Sequence, residues 1–203
     1  MKAYGSVTEN WGKTYKTVVI GTQTWMAENL KYTVGDSVCY DNNYVNCSTY
    51  GHLYTWSAAM GLDPSCNTTV CSSLIQSPHR GICPSGWHIP SSEDWGKLFR
   101  YVDGTTGTNA GYTSTTAGRY LKAASRWNNN GNGTDEYGFS ALPGGLGIGG
   151  GVFSNGGDYG AWWSASEYDS YNVYYSAMIV DREVAGWNDG DKGVLFSVRC
   201  LQD

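Results

Sequence analysis

A chain of 203 residues is long enough for one well-buried domain and short for two. Its formal net charge of −5, with charged residues at only 15 %, lacks the basic face that nucleic acid or an anionic membrane surface rewards. The 28 glycines, 16 tyrosines and 9 tryptophans argue against disorder and for short strands, many turns and a core filled by rings.

Residues 1–16 are polar and read as an N-terminal extension without a secretory signal. No apolar run of about 18 residues occurs anywhere, so membrane insertion is not expected. TVVIGTQTWMAENLKY (Thr17–Tyr32) alternates β-branched and polar residues as a hairpin would, with Gly21-Thr22 at its turn. GHLYTWSAAMG (Gly51–Gly61) spaces Leu53, Trp56 and Met60 at helical intervals and stops at Gly61. In PSSEDWGKLFRYVDG, Ser91 can cap the amide of Asp94, and Trp95, Leu98, Phe99 and Val102 fall on one face before Gly104. TTAGRYLKAAS (Thr115–Ser125) suggests a third, short helix. Past Trp127 the chain turns Asn- and Gly-rich, then strand-like near Trp162–Ser164, Val173–Val180 and Val194–Leu201. With no repeat and no linker, residues 1–203 read as a single α+β domain. Two main helices and short antiparallel strands support a large loop-rich half, and the last strand pairs with an early one.

Cys39, Cys47, Cys66, Cys71, Cys83 and Cys200 form an even set with no Cys-x-x-Cys pair, and His52, His79 and His88 are not spaced from them as zinc ligands. Disulfides are expected, and with them an oxidising location. The expected pairing is Cys39 with Cys47, Cys66 with Cys71, and Cys83 with Cys200, the last tying the middle of the chain to its end. Other pairings, and a fully reduced set, stay open.

Five stretches in order, IGTQTWMAENLKY, CPSGWHIPSSEDW, YGFSALPGG, WWSASE and FSVRC, resemble the Fibrobacter succinogenes major paralogous domain. The resemblance covers about Val18 to Asp203. GWHIPSSEDW and the closing VRC are more distantly similar to formylglycine-generating-enzyme domains. The resemblance implies a C-type-lectin-like fold, in which a small sheet and two helices carry irregular loops. Such folds serve as targets of diversity-generating retroelements, whose adenine-directed mutagenesis of AAY codons cannot reach Lys, Glu, Gln, Met or Trp. Leu146–Ala161 contains only reachable residues, while Tyr168–Gly193 is interrupted by Met178, Glu183, Trp187 and Lys192, with Arg182 reachable.

An enzyme of the resembling class would need paired reactive cysteines; Cys200 with Cys83 is better explained as a structural bridge. Ser164 and Ser166 lack a neighbouring histidine in sequence, and His88 reads as structural. No catalytic residue is therefore assigned. Asp135-Glu136 and Asp189/Asp191 are candidate calcium ligands, and Trp187-Asn188-Asp189 spells the Trp-Asn-Asp of glycan-binding lectins without their partner loop; solvated carboxylates are preferred, and no metal or other cofactor is expected. GGLGIGGG lacks the helix start and Lys-Ser/Thr of a phosphate loop.

Trp25, Trp87, Trp95, Trp162 and Phe196 are assigned to the core, with Trp127 and Trp163 ambiguous. Tyr159, Tyr168, Tyr171, Tyr174, Tyr175 and Trp187 exceed what a small core absorbs. Tyrosines among Ser, Gly, Asn and Asp are the chemistry of an adaptable binding face. The expected face lies within residues 146–193 and comprises Leu146, Ile148, Asp158, Tyr159, Tyr168, Tyr171, Asn172, Tyr174, Ser176, Asp181, Trp187, Asn188, Asp189 and Asp191. In the strand Val173–Val180, Tyr174, Ser176 and Met178 should share one side. The expected partner is a protein or glycan on a surface, met outside the cell, on a cell or a virion. A fixed-specificity adhesin or glycan-binding module is the second reading and a relic of an enzyme fold the third. A merely tyrosine-rich surface stays open as well.

Overall fold

The computed structural model describes residues 2–9, 11–106 and 111–203. The chain is a mixed α+β fold of three antiparallel sheets with few helices. The first sheet has the order β1(Tyr4–Thr8), β2(Thr14–Ile20), β3(Gln23–Met26), β10(Leu201–Gln202) and β4(Trp87–His88). The β2–β3 hairpin turns at Gly21-Thr22 as its alternation predicts; Gly21 sits at φ +63°, and a Cβ there would lie 2.7 Å from the Tyr101 ring. The last strand does meet an early one, through Leu201 opposite Trp25, and Leu201 also faces His88. Residues 4–8 and 14–16 of the N-terminal stretch are not loose but form β1 and the start of β2, paired from Tyr4↔Val18 to Thr8↔Thr14. Met1 and Asn10 of that stretch lie outside the described residues.

Two short helices come next. α1 (Tyr44–Tyr50) is capped by Asn43, which accepts from the amide of Val45. α2 (Trp56–Met60) is capped by Thr55 and ends at Gly61, whose left-handed φ of 65° suits glycine. Leu53, expected in that helix, is instead bridged to Val38. The longest helix, α3 (Ser92–Val102), begins with a reciprocal capping box between Ser91 and Asp94 and buries Trp95, Leu98, Phe99 and Val102. α4 is a single turn and a half at Ala117–Leu121.

The third sheet, β7(Tyr159–Glu167), β8(Asn172–Ile179) and β9(Ala185–Asp191), lies between two apolar clusters. Successive strand residues point to opposite faces, so Trp162 enters the cluster with α3 while Trp163 enters the one with α2, Tyr54 and Phe196. Both tryptophans are fully buried, and Trp127 is buried as well. β5(Leu146–Gly147) and β6(Phe153–Ser154) make a small separate hairpin. The expected strand Val194–Leu201 is regular only at its end; earlier, Leu195, Phe196 and Ser197 bridge singly to Gly147, Tyr54 and Trp162.

The five sequence motifs converge on one buried node. The guanidinium of Arg199, completely buried, donates to the side-chain oxygen of Asn29 (2.7 Å from Nη2), to the Ser140 carbonyl (3.3 Å) and to the Phe139 carbonyl. Asn29 Oδ1 also accepts from Trp162 Nε1 at 2.9 Å, and its amide donates to Tyr50 O at 2.8 Å. Trp95 closes the node, 6.2 Å from Trp162 and 4.8 Å from Trp25. Burial pulls the Arg199 pKa down to about 9, which leaves it cationic at neutral pH. Its charge is met by carbonyl dipoles and by the Phe139 ring face 4.3 Å away. Each motif thus contributes at least one residue to the buried scaffold.

All six cysteines are paired as expected: Cys39–Cys47, Cys66–Cys71 and Cys83–Cys200.

Candidate functional site

The hairpin β7–β8 turns at residues 168–171, and two of its tyrosines stand out: Tyr168 is 57 % exposed and Tyr171 59 %. Asp169 shapes the turn by accepting from the amides of Tyr171 and Asn172 at 2.8 and 2.7 Å. Strand register then extends the surface, because Asn172 lies opposite Asp191 and Tyr174 opposite Asp189. Paired residues point to the same side of the sheet. Tyr168 packs on Tyr174 with ring centroids 5.3 Å apart, and Tyr174 meets Trp187 edge-on at 5.0 Å. The result is a run of half-exposed rings flanked by the exposed carboxylates of Asp189 and Asp191. Gly111 makes room for Trp187: a Cβ on it would lie 2.7 Å from the indole.

Beneath the turn sits a buried ion pair. Lys192 Nζ lies 2.6 Å from Glu167 Oε1, with side chains 0 % and 5 % exposed. The ammonium also donates to the carbonyls of Thr69 (3.1 Å) and Ser170 (3.2 Å) and stands over the Trp56 ring. Glu167 in turn accepts from the amide of Cys71 at 2.9 Å. Lys192, which interrupts the variable-looking stretch, is buried and ties the turn, the Cys66–Cys71 loop and the end of β9 together. Met178, another interruption, is fully buried too. Trp187 is half-buried, and Glu183 is exposed.

The fourteen expected face residues therefore do not form one surface. Tyr168, Tyr171, Asn172, Tyr174, Trp187, Asp189 and Asp191 come together. Asn188 is exposed but alternates to the opposite side of β9. Leu146 is half-buried against the core, and Ile148 is exposed on the β5–β6 loop. Asp158 and Asp181 lie at the far end of β8, where the Val180 amide donates to the Asp158 carbonyl. Ser176 is corrected: it is fully buried opposite Trp162, with its hydroxyl donating to the Gly186 carbonyl. The side shared by Tyr174, Ser176 and Met178 thus opens outward only at its Tyr174 end, because α3 covers the rest. Tyr159 and Tyr175 are half-buried and pack against the core. Their hydroxyls bond at 3.2 Å, Tyr175 packs 4.6 Å from Phe196, and burial raises the Tyr159 phenol pKa.

A groove of about 700 Å³ runs between α3 and the loop before β4, lined in part by Gln76, His88, Asp94, Ser166 and Asp203. His88 Nδ1 lies 2.7 Å from Asp203 and Nε2 3.6 Å from Asp94. Burial opposes its charge, yet the two carboxylates raise its pKa. Burial likewise opposes ionisation of Asp94, but bonds from His88 and Ser91 hold it down to about 2. The serines here are engaged locally: Ser92 N donates to Ser166 Oγ at 3.0 Å and Ser166 N to Ser164 Oγ at 3.1 Å. Among the described residues, Cys39, Cys47 and His52 have metal-like proximity, but both sulfurs are in a disulfide. Asp135 binds the Ser140 amide and hydroxyl, closing its own turn. No helix among the described residues is long and apolar enough to cross a membrane.

The sequence profile of the Fibrobacter succinogenes major domain matches residues 18–202. No curated protein and no solved structure matches the chain.

Proposed function

This chain belongs to the Fibrobacter succinogenes major domain family, and we propose that it is a non-enzymatic recognition protein whose binding face is the aromatic turn and sheet end described above. The observation that carries this reading is the run of exposed Tyr171 and Tyr168 and half-exposed Tyr174 and Trp187, set over a buried ion pair. Tyrosine offers a wide amphipathic area with little rotamer entropy to lose, and the adjacent Asn172, Asp189 and Asp191 supply adaptable polar contacts. The Lys192–Glu167 pair and the Arg199 node hold the backbone beneath it, so the outer side chains can change without refolding. In this reading the fold is C-type-lectin-like and the domain is displayed outside the cell, on a cell or virion surface; three disulfides fit an oxidising location. Its partner is a protein or glycan surface, neither nucleic acid nor membrane. No cofactor takes part, and Asp189 with Asp191 leaves calcium as the arm to check by chelation.

Retroelement-driven diversification extends the proposal, since Tyr, Asn and Asp dominate the face and Trp187 is its one residue out of reach of adenine mutagenesis. A near-copy of the terminal coding segment differing only at adenines, close to a reverse transcriptase gene, would support it. The functional test is the pair Tyr171→Ala and Tyr174→Ala. Ligand capture should be lost while the melting temperature changes little, because both rings are partly open to water. Capture by the double variant at wild-type strength refutes the face.

A further inference from the structure

The loop joining β1 to β2 presents Trp11, 75 % exposed, the most open of the buried-type rings apart from Tyr44. Its ring lies 6.0 Å from Tyr32 and nearly parallel to it, at 16°. The two rings line a cavity of about 320 Å³ floored by Ile82 and Pro84, with Glu9 and Arg80 also in its wall. None of these residues belongs to the aromatic face.

Glu9 is unusual in its setting. Its residue is 8 % exposed, yet only one carboxylate oxygen is engaged, accepting from the Tyr15 hydroxyl at 3.3 Å. The other oxygen is bonded to no described residue. Burial raises its pKa, against the opposing Tyr15 bond and the positive charge of Lys13 nearby. Arg80 donates through Nε to the Cys83 carbonyl at 3.0 Å, which orients the guanidinium, and its terminal nitrogens have no partner among the described residues. Two near-parallel rings, a carboxylate with one oxygen engaged within the chain and an exposed guanidinium held by its Nε therefore line one cavity of small-molecule size.

An anion would meet Glu9 and a simple cation would meet Arg80. A neutral molecule with an apolar face and neighbouring hydroxyls satisfies all three groups. Its C–H face lies on the rings, one hydroxyl donates to Glu9, and another accepts from Arg80. We infer that the Trp11–Tyr32 cavity is a binding site for a neutral pyranose, as a free sugar or as the terminal unit of a glycan, separate from the proposed aromatic face.

The test is saturation-transfer NMR on the full, disulfide-bonded chain with the methyl glycosides of glucose, galactose, mannose and N-acetylglucosamine, and with alanine as a zwitterionic control. At least one glycoside should receive saturation and alanine should not. Trp11→Ala should weaken that binding at least tenfold with an unchanged melting temperature, since the ring is mostly in water. Arg80→Met should weaken it as well, which tests the donor without disturbing the buried Glu9. Saturation of no glycoside, saturation of alanine instead, or full binding by Trp11→Ala overturns the site. Loss of sugar binding only in the Tyr171→Ala/Tyr174→Ala protein also overturns it, because the sugar would then sit on the other face.

Discussion

Replacing Lys192 with methionine tests whether the base of the binding face is held electrostatically. The substitution keeps most of the volume but removes the ammonium that lies 2.6 Å from Glu167 and bonds the Thr69 and Ser170 carbonyls. Glu167, 5 % exposed, is left with the Cys71 amide alone. Breaking a buried pair by removing one partner costs about 3–5 kcal/mol, mostly from the stranded charge. That is about a third of the stability of an ordinary domain, and at a typical urea slope it lowers the midpoint by on the order of 1–2 M. Glu167→Gln added to Lys192→Met should recover much of the loss, since the stranded charge is gone. Urea unfolding followed by tryptophan fluorescence, with disulfides intact, reads the stability. Hydrogen exchange reads the turn: amides of Tyr171 and Asn172 should exchange faster once Ser170 loses its anchor. A cost for Lys192→Met below about 1 kcal/mol, with turn exchange unchanged, would show that the pair does not hold this face.

Removing Cys83–Cys200, which spans 117 residues, should cost about 5 kcal/mol, against about 2 kcal/mol for either short loop of 8 or 5 residues; chemical denaturation of paired Cys→Ala variants gives the ranking, and equal losses would contradict it. The His88 cluster predicts a pH window. His88, raised above 6.5 by Asp94 and Asp203 despite burial, stabilises fully below 6.5, and this is lost as pH rises through its folded value. Asp94, lowered from 3.8, stabilises above 3.8, and this is lost as pH falls toward 2. Stability from the cluster should peak between about pH 4 and 6.5, with Glu93 and Lys97 as the neighbouring charges on α3. His88→Gln should flatten the alkaline limb; an unchanged limb in urea midpoints from pH 4 to 9 rejects this assignment. Ser176→Tyr, fully buried against Trp162, should cost about 1–3 kcal/mol or more, whereas Asn188→Tyr should stay within about 0.5 kcal/mol. Equal melting temperatures for the two would refute the burial contrast.

Elements governed by local rules were legible from residues alone. The capping box at Ser91–Asp94, the apolar stripe Trp95, Leu98, Phe99 and Val102, the Gly21-Thr22 turn and the Gly61 stop all depend on neighbours in sequence, and each stands as read. The expected disulfide pairing, one of several the sequence leaves open, is the one the fold forms. By contrast, β9 carries Gly186, Gly190, Asp189 and Asp191, which signal turns; it is a strand because β8 offers seven registered partners. α1 has no apolar stripe and rests on its Asn43 cap and the Cys39–Cys47 bridge. Tyrosine content alone does not say which rings go inward.

Sequence alone determined the α+β class, the main helix and the first hairpin, because short-range geometry and side-chain type suffice for these, while the cysteine pairing was settled only by which thiols the fold brings together. Tertiary structure decided which side of β8 reaches water. Strand alternation yields two faces of equal standing, and only the packing of α3 on one and of Phe196 on the other buries Ser176 and half-buries Tyr175, while Tyr168 and Tyr171 stay exposed and Tyr174 half-exposed. The same long-range packing brings Lys192 under Glu167 and Trp11 beside Tyr32, contacts between residues 25 and 21 positions apart that no local pattern encodes.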